Sequence, residues 1–269
     1  MTEYRLLGIS DADREDIERL SLDPAAVEAC AADLRRVLGT FPGHGDLKPP
    51  EDPRVSIAAF LATVDDVRAY HRSRGVSDEV SWATLADLGR HLAIHRRTHG
   101  EFGLETHWWI ANSWTGVLYQ LGRLQFLLHQ PDHEVPGVEP GEWIIGVHIP
   151  ETGPLTPALI DESLDQARAF FAEHFPEQPV RTANLVSWLL DPYLLDHLPP
   201  ASNTVSFGRR FTPYGEAEDS QESAVYFTFR TRDLGRLDEL PRDTALQRLI
   251  LDRIAAGGTW QTAKGYLAL

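Results

Sequence analysis

Two periods of hydrophobic recurrence divide the chain. Over residues 1–100 the apolar positions return at helical spacing, and beyond residue 100 they tend to alternate. Ser10 is placed to cap a helix over 11–20 whose first turn is acidic. Asp23-Pro24 opens a second helix that ends at Gly39, with Val27, Cys30, Leu34, Val37 and Leu38 on one stripe. Residues 40–54 hold four prolines and two glycines and read as a loop. A helix over 55–70 and a long helix over 77–99, stopped by Gly100, complete this half.

In the second half, residues 108–114 and 117–129 read as strands joined by Thr115-Gly116, and 143–149 as a third. Thr156-Pro157 pairs a cap with an N1 proline and starts a helix to Phe175, whose stripe is Leu159/Ile160, Leu164, Ala167 and Phe170/Phe171. Strands are predicted over 180–189, 225–230 and 259–267, a helix over 244–256, and short helical or irregular pieces over 192–198 and 203–211. Three antiparallel strands followed by a helical crossover to a parallel neighbour make a mixed sheet covered by helices. The fold class is therefore α+β or α/β, with a helical domain over 1–105 and a sheet domain over 106–269.

Composition narrows the function. The chain has 269 residues, 42% hydrophobic and 24% charged, enough for a sizeable core. Its 25 basic and 40 acidic residues leave a net charge of −15. That field repels nucleic acid and anionic membrane surfaces and favours a cationic or amine ligand. The single cysteine, Cys30, excludes an internal disulfide, a thiolate metal cluster and a Cys-x-x-Cys redox pair. No apolar run reaches the ~20 residues of a membrane span and residues 1–10 lack the regions of a signal peptide, so a cytoplasmic location is expected. Only Lys48 and Lys264 are lysines, and neither sits where a Schiff base would form. No G-x-x-x-x-G-K-[ST] occurs, which removes P-loop nucleotide chemistry.

Several residues could carry chemistry. Alternation along 117–129 puts Arg123 and Gln125 on one otherwise apolar face, where they could orient a ligand or meet a structural carboxylate. His148 ends a buried-looking strand, a place for a general base of near-neutral pKa, with Glu151 close enough to orient its ring. Ser187, Asp191, His197, Ser202 and Asn203 cluster after the next strand. A hydrolytic triad there lacks a G-x-S-x-G elbow, and Ser202-Asn203 reads more simply as a helix cap. His91, His95 and His99 stand at i, i+4 and i+8, but 91–95 reads HLAIH without the acid of a zinc motif. Basic groups also suit a helix C-terminus, so no metal is expected. Trp108 and Trp109, adjacent on the strand predicted over 108–114, would face opposite sides.

The segments LGRLQF (121–126), HIPETGPLTP (148–157), SWLLDP (187–192) and SNTVSF (202–207) resemble a group of bacterial acyltransferases. These join a helical N-acyltransferase N-terminal domain to a GNAT-like C-terminal domain. The resemblance implies a GNAT-like mixed sheet, acyl-CoA or acetyl-CoA as co-substrate, and an amine acceptor. It implies that backbone N–H groups between a strand and a helix hold the donor's pyrophosphate, here over 150–156, with Gly153, Leu155 and Thr156 as the contacts. The family loop reads [RQ]-x-x-G-x-[GA]. This one has a single glycine, three prolines without donors in 150–157, and an acid at Glu151. The resemblance also implies that a tyrosine such as Tyr193 protonates the leaving thiolate; Asn203, from the cluster after the strand, is a candidate substrate contact. A non-catalytic binding or interaction module on the same fold is the competing reading, and a hydrolase using Ser187 a third. The oligomeric state is not legible.

Overall fold

The computed structural model describes residues 3–42 and 47–269; part of the loop read over 40–54 lies outside them. The chain forms two compact units. The first comprises Met1–Leu121, Gln125–His129 and Glu173–Phe175, and the second Gly122–Leu124, Gln130–Ala172 and Pro176–Leu269.

The first unit is helical: α1 (Glu3–Leu6), α2 (Asp11–Glu18), α3 (Pro24–Val37), α4 (Pro53–Ala62), α5 (Val64–Ser73), α6 (Asp78–Leu85), α7 (Asp87–His99) and α8 (His107–Trp114). Strand β1 (Leu118–Leu121) and most of β2 (Leu124–His129) follow. Local signals set most starts. Ser10, Asp23 and Ser77 accept the N–H of Asp13, Ala25 and Val80, and Gly100 ends α7 at φ 76°. The core gathers Leu34, Phe60, Leu88, Ile110 and Trp114.

Four sequence expectations are corrected here. The helix predicted over 55–70 breaks at Thr63, whose hydroxyl bonds the Ala59 and Phe60 carbonyls at 2.8 and 3.2 Å. The helix predicted over 77–99 breaks at Ala86, beside the close approach of Gly8. Residues 108–114 are helix, not strand: Ile110, Ala111 and Trp114 share a buried face, and the Trp114 indole N–H reaches the Phe60 carbonyl at 2.9 Å. The strand read over 117–129 is two strands turning at Gly122-Arg123, with Gly122 at φ 59°.

The second unit holds β3 (Trp143–His148), α9 (Pro157–His174, up to Ala172), β4 (Val180–Ser187), α10 (Pro192–His197) and α11 (Asn203–Gly208). It continues through β5 (Thr212–Asp219), α12 (Gln221–Phe229), α13 (Ala245–Ala255) and β6 (Gln261–Ala268). Strands β3, β4, β6 and β5 lie side by side in that order, the first pair parallel and the others antiparallel, so the sheet is mixed. Residues 225–229 belong to helix α12, which Arg230 ends at φ 55°, because Ala224 and Val225 bury in a core that includes Ile250 and Trp260. Strand β5 was invisible to the pattern. Its sequence, TPYGEAED, is almost wholly exposed and is held at the sheet edge by pairing with β6. Among the described residues no helix is long and apolar enough to cross a membrane.

Candidate active site

The parallel strands β3 and β4 pair from Trp143↔Val180 to Gly146↔Asn184 and then part. β3 runs on to His148, while β4 stays with β6 through Leu185↔Gly265, Val186↔Lys264 and Ser187↔Ala263. Two parallel strands that separate at their carboxyl ends leave backbone groups unpaired between them. Such openings are where α/β sheets take ligands. His148 stands half-buried on one lip. Val186, 48% exposed, stands on the other, an apolar surface just beyond the buried run Ala183–Leu185 of β4.

Beyond His148 the chain turns through 150–156 into α9, as the alternation and the Thr156-Pro157 start require. The loop is pinned from inside by Arg123, which is 8% exposed. Its Nε donates to the carbonyls of Gly153 and Pro154 at 3.1 and 3.2 Å. Its Nη2 donates to the Gly153 carbonyl at 2.7 Å, and Nη1 to the Pro150 carbonyl at 2.8 Å and the Thr152 hydroxyl at 3.2 Å. The Arg123 main-chain N–H donates to Ser163 Oγ at 2.7 Å. Gly153 has φ 137°, which an L side chain rarely adopts. The one acid of the loop, Glu151, forms an ion pair with Arg230 at 2.7 Å, so its charge does not stand alone against an anion.

The cluster after β4 is organised by Asp191, which is fully buried. It accepts the N–H of Tyr193, Leu194 and Gln261 at 2.8, 3.3 and 2.8 Å and the Arg253 guanidinium at 2.9 Å. Ser187 caps the short 3₁₀ turn over 188–190 by accepting the Leu189 N–H, and the His197 ring meets the Tyr193 carbonyl at 2.9 Å. Ser187 and His197 thus turn to the backbone, and Asp191 to the backbone and Arg253. Tyr193 is stacked between His197, 3.6 Å between ring centroids, and Arg253, 4.1 Å from its ring. Ser202 caps α11, and Asn203, its first residue, is exposed.

Arg123 lies in the turn between β1 and β2 rather than along a strand face, so the alternation that joined it to Gln125 does not hold. Gln125 lies in β2, 2% exposed, with no hydrogen-bond partner for Nε2. The three histidines of α7 take separate partners: His91 meets Thr106 Oγ1 at 2.7 Å, His95 the Glu101 carbonyl at 3.1 Å and His99 Glu105 at 3.3 Å. Among the described residues no group of three or more metal-ligating side chains forms.

One hydrogen-bonded chain went unread in the sequence. Asp132 meets His133 Nδ1 at 2.8 Å, and His133 Nε2 meets the Tyr214 hydroxyl at 2.9 Å. Tyr214 in turn bonds the side chain of Asn184, the residue at which β3 and β4 part. Burial pushes the Tyr214 phenol above its usual pKa, partly offset by the Asn184 bond. The available signal was a polar asparagine inside the buried run ANL.

Known proteins share this two-part architecture. A model described as an N-acyltransferase N-terminal domain matches residues 1–116, and one described as a GNAT-like C-terminal domain matches residues 118–267. A solved acyltransferase in complex with decanoyl-CoA and teicoplanin is 35% identical, with a TM-score of 0.89 over 99% of this chain and 86% of that one. An acyltransferase in complex with decanoyl-CoA is 31% identical, with a TM-score of 0.90 over 98% of this chain and 86% of that one. A mutant acyltransferase in complex with octanoyl-CoA is 35% identical, with a TM-score of 0.90 over 99% and 86%. No curated protein matches. A helical N-terminal region, a mixed sheet that opens at a parallel pair, and two family matches that run nearly end to end place the chain among the acyltransferases that join an N-acyltransferase N-terminal domain to a GNAT-like C-terminal domain.

Proposed function

We propose that the protein transfers a fatty acyl group from acyl-CoA to the amine of a small-molecule acceptor. The observation that carries this reading is the parting of β3 and β4 after Gly146↔Asn184, with a pinned loop leading from the same strand into α9. The complexes of similar proteins with decanoyl-CoA, octanoyl-CoA and teicoplanin support the donor class and a small-molecule acceptor. The net charge of −15 favours a cationic acceptor. In this reading the amine nitrogen attacks the thioester carbonyl carbon and His148 takes the proton that the nitrogen loses. The C–N bond forms, the C–S bond breaks, and the thiolate leaves and is protonated, with Tyr193 as the candidate donor. Gly153, Leu155 and Thr156 supply the pyrophosphate contacts.

The test combines binding with turnover. Coenzyme A at 100 times its Kd is expected to stabilise the fold by ~2.7 kcal/mol, read as a rise in melting temperature. Decanoyl-CoA with teicoplanin, or with a panel of simple amines, is expected to release free thiol together with an amide product seen by mass spectrometry. No thermal shift and no thiol at millimolar donor would leave a binding module on this fold. Thiol release that needs no amine would point instead to hydrolysis through Ser187.

A further inference from the structure

The loop over 150–157 carries three prolines, which donate no hydrogen bond, and a single glycine. A loop so poor in donors can hold a pyrophosphate only if the amides it does have are aimed at it. The described peptide bonds are all trans, so each N–H points opposite to the carbonyl of the preceding residue. Arg123, buried beneath the loop, draws the carbonyls of Pro150, Gly153 and Pro154 towards itself. The amide that follows Pro154 belongs to Leu155, and it therefore faces away from the guanidinium.

We propose that Arg123 is the positioning residue of the donor loop: by holding these carbonyls inward it presents the Leu155 amide to the pyrophosphate of the acyl-CoA. It does not touch the acyl group or the acceptor. Arginine suits this task because its planar fork can reach three carbonyls and a hydroxyl at once, whereas a lysine ammonium is a point charge on a flexible stem. The Glu151–Arg230 ion pair helps in the same sense, by keeping the loop's carboxylate from opposing the phosphates. Ser163 completes the device. Its hydroxyl accepts the Arg123 main-chain N–H and donates to the Leu159 carbonyl at 2.8 Å, tying the β1–β2 turn to the first turns of α9.

The inference rests on the donor reading above, and its test separates the two. Coenzyme A binding is measured by titration calorimetry, and turnover with decanoyl-CoA, for the whole protein and for Arg123→Lys. The variant is expected to raise the coenzyme A Kd and the KM for decanoyl-CoA about 10- to 100-fold while kcat at saturation stays within about threefold. An effect on structure alone would lower melting temperature and kcat and leave the Kd of the folded fraction unchanged; that result overturns the proposal. Gly153→Ala is the second variant. Nothing lies within 4 Å of the added methyl, so it meets no clash, but φ 137° strains an alanine and shifts the loop backbone. The same donor-selective loss is expected, and an unchanged Kd in both variants also overturns the proposal. If the unaltered protein fails to bind coenzyme A, the donor reading itself falls.

Discussion

Nδ1 of His71 lies 2.9 Å from the hydroxyl of Ser81 in a site closed to solvent, His71 being 0% exposed. Burial first, and then the positive charge of Arg68, lowers the pKa of His71 from 6.5 to about 4. The unfolded chain therefore holds one more proton than the folded one between these values. Stability is full above pH 6.5 and is lost as the pH falls towards 4, by about 3 kcal/mol from this residue. Urea unfolding at pH 7 and pH 4.5 checks this. His71→Gln is expected to show a shallower acid slope, and an identical slope would remove His71 as its source.

Asp191 joins α10, α13 and the start of β6 through one carboxylate. Removing one partner of a buried ion pair leaves the other charge uncompensated, so Asp191→Ala is expected to destabilise by about 3 kcal/mol. Turnover per folded molecule should stay near that of the unaltered protein. A loss of turnover without a loss of stability would return Asp191 to the chemistry.

His148→Ala is expected to lower turnover by ~10² to 10⁴ with little change in melting temperature, the usual cost of a missing general base. Specific activity per folded molecule is the measurement. Full activity in the variant would remove His148 from the mechanism.

Gly89 shows how closely α7 packs on the chain after α1. A methyl group there would stand 2.1 Å from the carbonyl carbon of Gly8 and 2.6 Å from the nitrogen of Ile9, both backbone atoms, and Gly89 also donates its N–H to the Leu7 carbonyl at 3.1 Å. No side chain can move aside. Gly89→Ala is expected to cost at least about 2 kcal/mol, read by urea unfolding, and a neutral effect would mean that the contact opens freely.

Of the candidate site, the path from β3 through 150–156 into α9 was legible, because a strand running into a Thr-Pro start is written in adjacent residues. Arg123 was singled out for its charge on an apolar run, but alternation gave it a strand face that the Gly122 turn removes. Its partners, Pro150 to Pro154, lie far along the chain, and no local pattern pairs them. The chain from Asp132 through His133 and Tyr214 to Asn184 was unread for the same reason. His133 and Tyr214 are 81 positions apart, and Tyr214 stands on a strand without apolar alternation.

The sequence by itself determined where the capped helices begin. At Ser10, Asp23, Ser77, Ser202 and Thr244 a side chain meets an amide two or three residues ahead, an interaction that needs nothing else folded. It also determined the division into a helical part and a part with strands, since hydrophobic period follows from which face must be buried. The tertiary structure alone decided the state of segments whose composition favours strand. The aromatic-rich 107–114 and the VYFTF of 225–229 became helices because their buried residues reach the core from a helix. Exposed β5 became a strand because β6 offers it unpaired backbone. Intrinsic β-propensity spans only about 1 kcal/mol, and the burial of one large side chain exceeds it.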